Sequence, residues 1–381
     1  MRIGIDARTL SGRYTGDRTY WRGLIGGLAT VDTANEYVLY TRLPIDGEPP
    51  ETGPNFRWRA LPRPGNDALW MLRGWPRALA EDGIDVAHTQ YNIPLLGAPC
   101  PVITTVHDIT FALFPELFAA RDRRILNALV PHSLRRAAHV IADSDCTRRD
   151  ILRRYKTRVT PEKVTTILLA TDKRFQVPPH GQESAWAAVN TQYGLSDQPY
   201  VLSVGVLQPR KNLGVLLDAF ALVKLGPVAP PHKLLIVGKR GWLGQELDRQ
   251  IATLPSKVTA DIVWAGYVPD DDLPTLYGGA DALCYPSRYE GFGLPPLEAM
   301  ACGCPVLCSR TSSLPEVVGD AGVLLPPDDS TAWAHALEKL LTQPGVLARW
   351  RERGPVRAAR FSWAETARQT LKIYEECRRN L

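Results

Sequence analysis

Short apolar runs rich in Val, Ile and Leu recur along the whole chain and are separated by helical stretches. The runs are almost continuously apolar, which is typical of strands that are buried on both faces of a parallel sheet. In the first half they are RIGID, YVLYT, VITTVH, VIADS and VTTILL, and in the second half YVLSVGVL, KLLIVG, DIVWAG, DALCYPS, CPVLCS and AGVLL. The alternation of strands with helices, for example over 212–224 and 330–341, predicts a doubly wound α/β architecture.

The length of 381 residues favours two domains. A polar stretch over 176–199, which includes Pro178, Pro179, Gly181 and Gly194, marks the expected linker. About seven strand-like runs precede this stretch and about six follow it. We therefore predict three segments, namely a first domain, a second domain and a C-terminal helix, over 1–185, 186–361 and 362–381. Two such domains would form a cleft, because ligands of open α/β sheets bind outside the carboxyl ends of the strands.

Composition excludes several classes of protein. A net charge of +5 is too small for a dedicated nucleic-acid-binding protein. No window approaches the roughly 18 apolar residues of a membrane span, and the N-terminus lacks the pattern of a signal peptide, so we expect a cytoplasmic protein. The seven cysteines have no zinc-site spacing. We predict that Cys284, Cys302, Cys304 and Cys308 are small core residues that stay reduced.

The segment SRYEGFGLPPLEAMACGCPVL follows one of the predicted strands. Gly291 and Gly293 remove side chains from the loop, and Leu294 opens a helix whose N–H groups and dipole favour a phosphate. Glu298 lies about one turn into that helix, where a carboxylate suits the two hydroxyls of a ribose. Glu290 lies at the start of the loop, where we expect its carboxylate to contact the sugar. The alternative is an ordinary strand-to-helix turn with a capping glutamate.

A second polar segment, YVLSVGVLQPRKNLGVLLDAF, places Gly205 at the end of a predicted strand. Arg210 and Lys211 come just before a helix that Asn212 is placed to cap. A bidentate guanidinium beside a compact ammonium suits a diphosphate. A solvated basic loop is the alternative interpretation.

In the first half, VITTVHDITF places His107 and Asp108 at the end of a strand. His107 there suits a hydrogen bond to a sugar hydroxyl, whereas Asp108 suits either the ligand or the orientation of the loop. A purely structural histidine is the alternative. Thr147 and Asp150 have the spacing of a capping box, which predicts that Thr147 caps the next helix.

Glu290 and Glu298 are separated by the seven residues GFGLPPL, and this spacing resembles the Glu-x7-Glu motif of the retaining glycosyltransferases of family 4. The following text, EAMACGCPVLCSRTSSLPEVVGDAGVLLPPDD, is similar to that family almost residue for residue. The resemblance covers nearly the whole chain and is most specific over 200–328. It implies the GT-B fold, in which two Rossmann-like domains face each other across a cleft and a C-terminal helix crosses back to the first domain.

The resemblance also implies roles for individual residues. The catalytic positions would be His107, Arg210, Lys211 and Glu290. The donor-binding positions would be Gly16, Asp108, Gly205, Tyr267, Val268, Gly291, Phe292, Gly293, Leu294 and Glu298, of which Tyr267 and Val268 would contact the base through the backbone. Ser144 would lie on the acceptor side. The family implies neither a cofactor nor a metal, and we expect activity to survive a chelator.

The chain departs from the family pattern in the loop after the first strand. The family has a Gly-x-Gly loop there, and Gly16 matches the first glycine, but Arg18 stands in place of the second. Either the Arg18 side chain prevents a close approach of the backbone, or it brings a guanidinium to the phosphate, or the loop moves aside when the donor binds. The segment 121–158 carries eleven Lys or Arg against four Asp, which predicts either a solvated face or peripheral contact with an anionic membrane at its inner face.

We therefore expect a retaining hexosyltransferase that uses a GDP- or UDP-sugar of mannose or glucose type. Its acceptor would be a sugar, a lipid-linked glycan or a small molecule. Front-face transfer and double displacement both remain open as routes. The alternatives on the same fold are a nucleotide-sugar epimerase, a sugar-phosphate synthase and a catalytically silent nucleotide-sugar binding protein. No full Gly-x-Gly-x-x-Gly pattern follows a strand, which argues against a nicotinamide dehydrogenase.

Overall fold

The computed structural model describes residues 1–11, 16–42, 45, 49–61, 69–179, 183–239 and 244–379, with only the backbone described for 183–185 and 244–246. Contacts between residues divide the chain into two compact units. Unit 1 comprises Met1–Ala170 together with Phe361–Leu381, and unit 2 comprises Thr171–Arg360. Unit 2 is therefore inserted, in sequence, into unit 1.

Unit 1 contains a seven-stranded parallel sheet with the order β3-β2-β1-β4-β5-β6-β7. Its strands are β1 Arg2–Asp6, β2 Glu36–Thr41, β3 Phe56–Ala60, β4 Val86–Gln90, β5 Val102–Val106, β6 His139–Ala142 and β7 Val164–Thr166. Its helices are α1 Gly16–Val31, α2 Trp75–Glu81, α3 Thr110–Leu113, α4 Ala120–Arg136, α5 Asp145–Arg154 and, at the end of the chain, Trp363–Arg379.

Unit 2 contains a six-stranded parallel sheet with the order β10-β9-β8-β11-β12-β13. Its strands are β8 Tyr200–Val204, β9 Lys233–Val237, β10 Ile262–Gly266, β11 Ala282–Tyr285, β12 Val306–Ser309 and β13 Val323–Leu325. Its first helices are α6 Glu183–Gln192, α7 Leu213–Leu225, α8 Gly244–Thr253, α9 Ser256–Thr259 and α10 Leu273–Gly279. Its remaining helices are α11 Leu294–Ala301, α12 Leu314–Val318, α13 Ser330–Thr342 and α14 Pro344–Ala358, so that Trp363–Arg379 becomes α15.

The doubly wound α/β architecture and the strand runs named from the sequence are confirmed. The two strands that no named run predicted are β3 and β4. The alternating sequence of β3, FRWRA, belongs to an edge strand, and β4 carries the polar residues His88, Thr89 and Gln90. All seven cysteines are free, and the four of the predicted core group are buried. Within the described ranges, no helix is both long and apolar enough to cross a bilayer.

The units divide at Ala170 and Arg360, whereas the sequence placed the divisions at 185 and 361. The segment after Ala170 packs on unit 2, where the ring of Phe175 lies 6.0 Å from that of Tyr277. Gly181 of the predicted linker lies outside the described residues, as do residues 12–15 of the first loop and residues 380–381 of the predicted C-terminal helix.

Helix α15 packs against α1, which confirms that the C-terminal helix returns to the first domain. Gly23 and Gly27 of α1 allow this close approach. A Cβ at Gly23 would lie 1.9 Å from the ring of Trp363, and one at Gly27 would lie 2.3 Å from the Trp363 carbonyl oxygen. Tyr374 of α15 is fully buried and bonds to His88 of the central strand β4. The last helix is therefore part of the core of unit 1.

Replacing Gly23 by alanine should destabilise unit 1 by about 1–3 kcal/mol, because the indole of Trp363 must shift to admit the new methyl group. Gly26→Ala is the matched control on the same helix, since a Cβ there meets nothing within 4 Å. The control should be neutral or stabilising by up to about 1 kcal/mol. Urea unfolding of both variants measures the difference, and equal stabilities would contradict the packing described for α15.

Candidate functional site

Three glycines lie at the carboxyl ends of three adjacent strands in unit 2. Gly205 follows β8, Gly238 follows β9, and Gly266 ends β10, with φ values of +145°, +142° and +67°. A Cβ at Gly238 would lie 1.9 Å from the carbonyl oxygen of Gly205, so this edge tolerates no side chain there. The backbone is therefore closely packed at the edge where open α/β sheets bind ligands.

Beside this edge, Glu290 forms a compact charged cluster with Arg210 and Lys211. Glu290 Oε2 lies 2.5 Å from an Arg210 guanidinium nitrogen, and its Oε1 lies 2.6 Å from Lys211 Nζ. The two basic residues are placed by the short 3₁₀ helix Pro209–Lys211, which follows β8. Two cations and one anion give these three side chains a summed charge of +1. All three are largely buried, with 10–17% of each side chain exposed.

Two neighbouring hydroxyl groups also donate hydrogen bonds to the Glu290 carboxylate. Ser287 Oγ donates to Oε1 at 2.6 Å, and the Tyr285 hydroxyl donates to the same oxygen at 3.0 Å. Burial alone would raise the pKa of Glu290, but Arg210 and Lys211 outweigh burial and lower it to about 2. Glu290 is therefore ionised at neutral pH.

The helix that follows the loop begins as the sequence predicted. Gly293 precedes α11 with a φ of +114°, and Leu294 is its first residue. Glu298 lies one turn in, half-buried, and its Oε2 accepts a hydrogen bond of 3.1 Å from the Tyr277 hydroxyl. Burial raises the pKa of Glu298 to about 7, against the lowering effects of Tyr277 and Arg174. The two glutamates of the motif thus have opposite electrostatic surroundings.

Other residues of unit 2 surround the same edge. Asn212 precedes α7, but its side chain does not cap that helix and instead donates to the Pro327 carbonyl at 2.6 Å. Beyond β10, Tyr267 is 54% exposed, whereas Val268 is buried. Lys239 Nζ lies 4.9 Å from the centre of the Tyr267 ring.

In unit 1, His107 follows β5 and Asp143 follows the adjacent strand β6, so both lie at the carboxyl edge of the sheet. His107 Nδ1 lies 2.5 Å from Asp143 Oδ2. The rings of Tyr20 and Tyr91 stand edge-on to the imidazole, with centroids 5.0 and 5.5 Å away. Burial alone would lower the pKa of His107, but Asp143, followed by Asp17, raises it to about 9.

Three neighbours of His107 have roles in the local fold. Asp108 Oδ1 accepts from the Thr110 amide at 2.9 Å and so orients the loop before α3. The predicted cap is wrong, because Ser144 and not Thr147 caps α5: the Ser144 side chain accepts from the Thr147 amide at 3.0 Å. Thr147 lies in the first turn and donates to the His107 carbonyl at 3.1 Å.

Two families match this chain. Residues 190–357 match the family described as Glycosyl transferases group 1, and residues 23–174 match Glycosyltransferase Family 4. The O-antigen chain mannosyltransferase B of Escherichia coli is 38% identical over 281 residues, which are 72% of this chain and 70% of that protein. The chain belongs to glycosyltransferase family 4.

Solved structures of low sequence identity share the fold of this family 4 glycosyltransferase. Sucrose-phosphate synthase from Thermosynechococcus elongatus superposes with a TM-score of 0.75 at 23% identity, over 98% of each chain. Anabaena HepE in complex with UDP and glucose superposes with a TM-score of 0.73 at 19% identity, over 99% of this chain and 100% of that one. The two parallel sheets with their helices are those of the GT-B fold.

Within unit 2 of the glycosyltransferase, the fold brings several predicted residues together. Gly205 is close to Lys211, because a Cβ on the glycine would lie 3.2 Å from Lys211 Cε. Arg210 donates to the Tyr289 carbonyl, which precedes Glu290, and Gly291, Phe292 and Gly293 are buried between Glu290 and α11.

The remaining predicted residues, His107, Asp108, Gly16 and Ser144, belong to unit 1. Gly16 is the exposed first residue of α1. Arg18, which replaces a family glycine, is 2% exposed, so its side chain is turned into the protein. Ser144 is fully buried as a helix cap, and its predicted acceptor-side role stays a prediction.

Sequence reasoning missed four residues whose side chains bind the carboxylate of Glu290 or Glu298 or the imidazole of His107. Tyr285 and Ser287 bind the Glu290 carboxylate, Tyr277 binds Glu298, and Asp143 binds His107. Strand adjacency was the signal for Asp143, because residues that follow neighbouring parallel strands meet at one edge. Among the described residues, no group of three or more His, Cys, Asp and Glu side chains could hold a metal ion.

Proposed function

We propose that this family 4 glycosyltransferase transfers mannose from a nucleoside diphosphate sugar to a carbohydrate or lipid-linked acceptor, with retention at the anomeric carbon. The observation that carries the proposal is the Arg210–Lys211–Glu290 cluster beside the start of α11. The mannose assignment is supported by the 38% identity to the O-antigen chain mannosyltransferase of E. coli.

In this proposal Arg210 and Lys211 bind the diphosphate. Glu290 holds both cations in place before any ligand arrives, so they need little rearrangement when the donor binds. Negative charge builds on the diphosphate as the glycosidic bond breaks, and preorganised cations stabilise that charge. Backbone N–H groups near Gly293 and Leu294 support the same phosphates at the helix start.

We assign Glu290 to a hydroxyl of the donor sugar through Oε2. A carboxylate has about four acceptor sites. Oε1 already accepts from Lys211, Tyr285 and Ser287, whereas Arg210 binds Oε2. Oε2 therefore retains the capacity for a sugar hydroxyl.

The other donor contacts follow from the same arrangement. Glu298 accepts hydrogen bonds from the ribose hydroxyls, and the backbone around Tyr267 and Val268 contacts the base. In unit 1, His107 donates to a sugar hydroxyl and the backbone at Gly16 contacts the diphosphate. These roles remain proposals, as does contact of the basic segment 121–158 with anionic lipid.

The environment of Glu290 favours front-face transfer over double displacement. A carboxylate whose pKa is lowered to about 2 and whose oxygens bind two cations and two hydroxyls is a weak nucleophile. In the front-face route, the bond from the anomeric carbon to the diphosphate oxygen breaks and the acceptor oxygen bonds on the same face. The released diphosphate oxygen takes the proton of the acceptor hydroxyl.

The proposal is tested by a donor screen followed by product analysis. A bound nucleotide-sugar raises the melting temperature by mass action, so GDP-mannose, GDP, UDP-glucose and UDP are compared by thermal shift. With an acceptor present, transfer yields free nucleoside diphosphate and a longer glycan. Release of sugar phosphate would instead indicate a synthase or phosphorylase. Binding with neither product, across all acceptors tried, would support a silent binding protein.

We expect the affinity for the intact nucleotide-sugar to rise about tenfold between pH 6 and pH 8. The ionised Glu298 accepts ribose hydroxyls, and a pKa of about 7 leaves only about a tenth of this carboxyl group ionised at pH 6. Calorimetry measures the effect, and the intact donor is used because its diphosphate has no secondary ionisation in this range. Glu298→Gln should bind more weakly and without this pH dependence, and a flat wild-type profile would count against the ribose assignment.

We also expect transfer to persist in EDTA. Arg210 and Lys211 supply the positive charge that a divalent ion supplies in metal-dependent transferases. Initial rates are compared for enzyme dialysed against EDTA and for the same enzyme with Mg²⁺ restored. A strict loss that Mg²⁺ reverses would contradict the proposal.

A further inference from the structure

A buried carboxylate partner of His107 has no role in the function proposed so far. Asp143 is 1% exposed and binds His107 Nδ1 at 2.5 Å. The second carboxylate oxygen, Oδ1, is buried and has no hydrogen-bond partner among the described residues. A buried carboxylate that is only half satisfied is costly, which points to a use beyond stabilising the fold.

The other nitrogen of the imidazole has no hydrogen-bond partner in the part of the chain that the structure describes. This nitrogen, His107 Nε2, is buried. The acidic group closest to it in that part of the chain is Asp17 of α1, whose Oδ1 lies 3.7 Å away, beyond hydrogen-bond distance. Asp143 accepts the proton on Nδ1, so Nε2 would be an acceptor in the neutral ring and is a donor only when the ring is an imidazolium.

We propose that Asp143 is a positioning residue that holds His107 as an imidazolium, with Nε2–H directed at a hydroxyl oxygen of the donor sugar. Asp17 is the carboxylate closest to Nε2 among the described residues. The inference rests on the proposed function, because a sugar must reach His107. It adds to that function an Nε2–H donor that the neutral ring lacks, and a charge-assisted hydrogen bond is about twice as strong as a neutral one.

The charges around His107 support an imidazolium. The titratable groups that face the ring or act on it are Asp143 after β6, Asp17 and Tyr20 on α1, His88 on β4, Tyr91 after β4, and the adjacent Asp108. Three of these are carboxylates that favour the charged ring. His88 stays neutral, because burial lowers its pKa to about 3. Tyr20 and Tyr91 also stay neutral, because burial raises the pKa of each phenol.

The test compares Asp143→Asn with the wild type in the full chain. Asparagine can still accept from Nδ1–H, so the ring keeps its orientation while the charge of the partner is lost. Asp145→Asn is the matched control two residues away, where an exposed carboxylate accepts from Thr166 Oγ1 at 2.6 Å. The control should leave both the His107 titration and transfer unchanged.

Two readouts are needed. NMR of the histidine side chains, assigned with His107→Gln, should show wild-type His107 charged through pH 8 and the Asp143→Asn ring neutral at that pH. The kcat/KM for transfer should fall about tenfold at pH 8 in Asp143→Asn and much less at pH 6, where the ring regains its proton.

Each outcome is decisive. A wild-type His107 that is neutral at pH 7 overturns the inference without any variant, even if Asp143→Asn fails to fold. An equal loss of kcat/KM at both pH values, with an unchanged titration, would reduce Asp143 to a structural residue. If the wild type transfers no sugar from any nucleotide donor, the proposed function fails, while the titration still tests the charge of His107.

Discussion

Lys211→Ala should lower kcat for sugar transfer about a hundredfold while the protein stays folded. The ammonium lies beside Glu290 and, in our proposal, stabilises the charge on the departing diphosphate, an interaction that is strongest in the transition state. Arg210 still pairs with the Glu290 carboxylate in the variant, so the melting temperature should change little. Steady-state kinetics with the donor from the thermal-shift screen measures the loss.

Arg353→Ala is a suitable comparison for Lys211→Ala. It removes a cation from the same unit, but the ion pair of Arg353 with Asp320 is at the surface. Surface pairs contribute about 0–1 kcal/mol, and this one lies outside the cluster, so transfer should be unchanged. If Lys211→Ala kept more than a tenth of wild-type kcat, less than about 1.4 kcal/mol would be lost and the diphosphate assignment would fail.

Glu290→Gln should have the second large effect, on stability as well as on transfer. The substitution leaves Arg210 and Lys211 buried without their carboxylate, and removing one partner of a buried ion pair costs about 3 kcal/mol. The measurement is urea unfolding at pH 7, with Asp328→Asn as a surface control within about 0.5 kcal/mol of wild type. Transfer should fall more than tenfold, because both cations lose their fixed positions.

The pH dependence identifies the cause of this destabilisation. The folded pKa of Glu290 is lowered from 4.5 to about 2, so its contribution is complete above pH 4.5 and is lost as the pH falls toward 2. The stability difference between wild type and Glu290→Gln should therefore narrow over that range. Adding Lys211→Met to the variant should recover part of the stability at pH 7, and no recovery would show that the cations are not the cause.

The sequence predicted unit 2 more completely than unit 1, for a physical reason. All six strands of unit 2 are apolar runs, and every residue in them is buried or half-buried. In unit 1, β3 alternates apolar residues with arginines at the sheet edge, and β4 buries His88 and Thr89, whose polar atoms are satisfied by distant partners. Pattern reasoning cannot identify a strand whose polar residues are buried in this way.

For the candidate site, too, the sequence predicted what local geometry sets and missed what depends on the fold. The spacing of Glu290 and Glu298 placed both on one loop and helix, because local geometry sets their positions. Contacts across the sheet, such as His107 with Asp143 or Lys211 with Tyr285, join residues 36 and 74 positions apart and depend on strand order. The sequence also did not predict the opposite pKa shifts of Glu290 and Glu298. These shifts depend on neighbouring side chains that only the fold brings close.

The insertion of unit 2 within unit 1 has a consequence for biosynthesis. Unit 1 needs α15 to complete its core, and that helix is translated only after residues 171–360 have been synthesised. At about 5–20 residues per second, those residues add roughly 10–40 s during which the N-terminal sheet lacks its last helix. Unit 2 is contiguous in sequence and can fold during that interval. Chaperones that bind exposed apolar surface on nascent chains should therefore stay bound to the N-terminal part of unit 1 for longer than to unit 2.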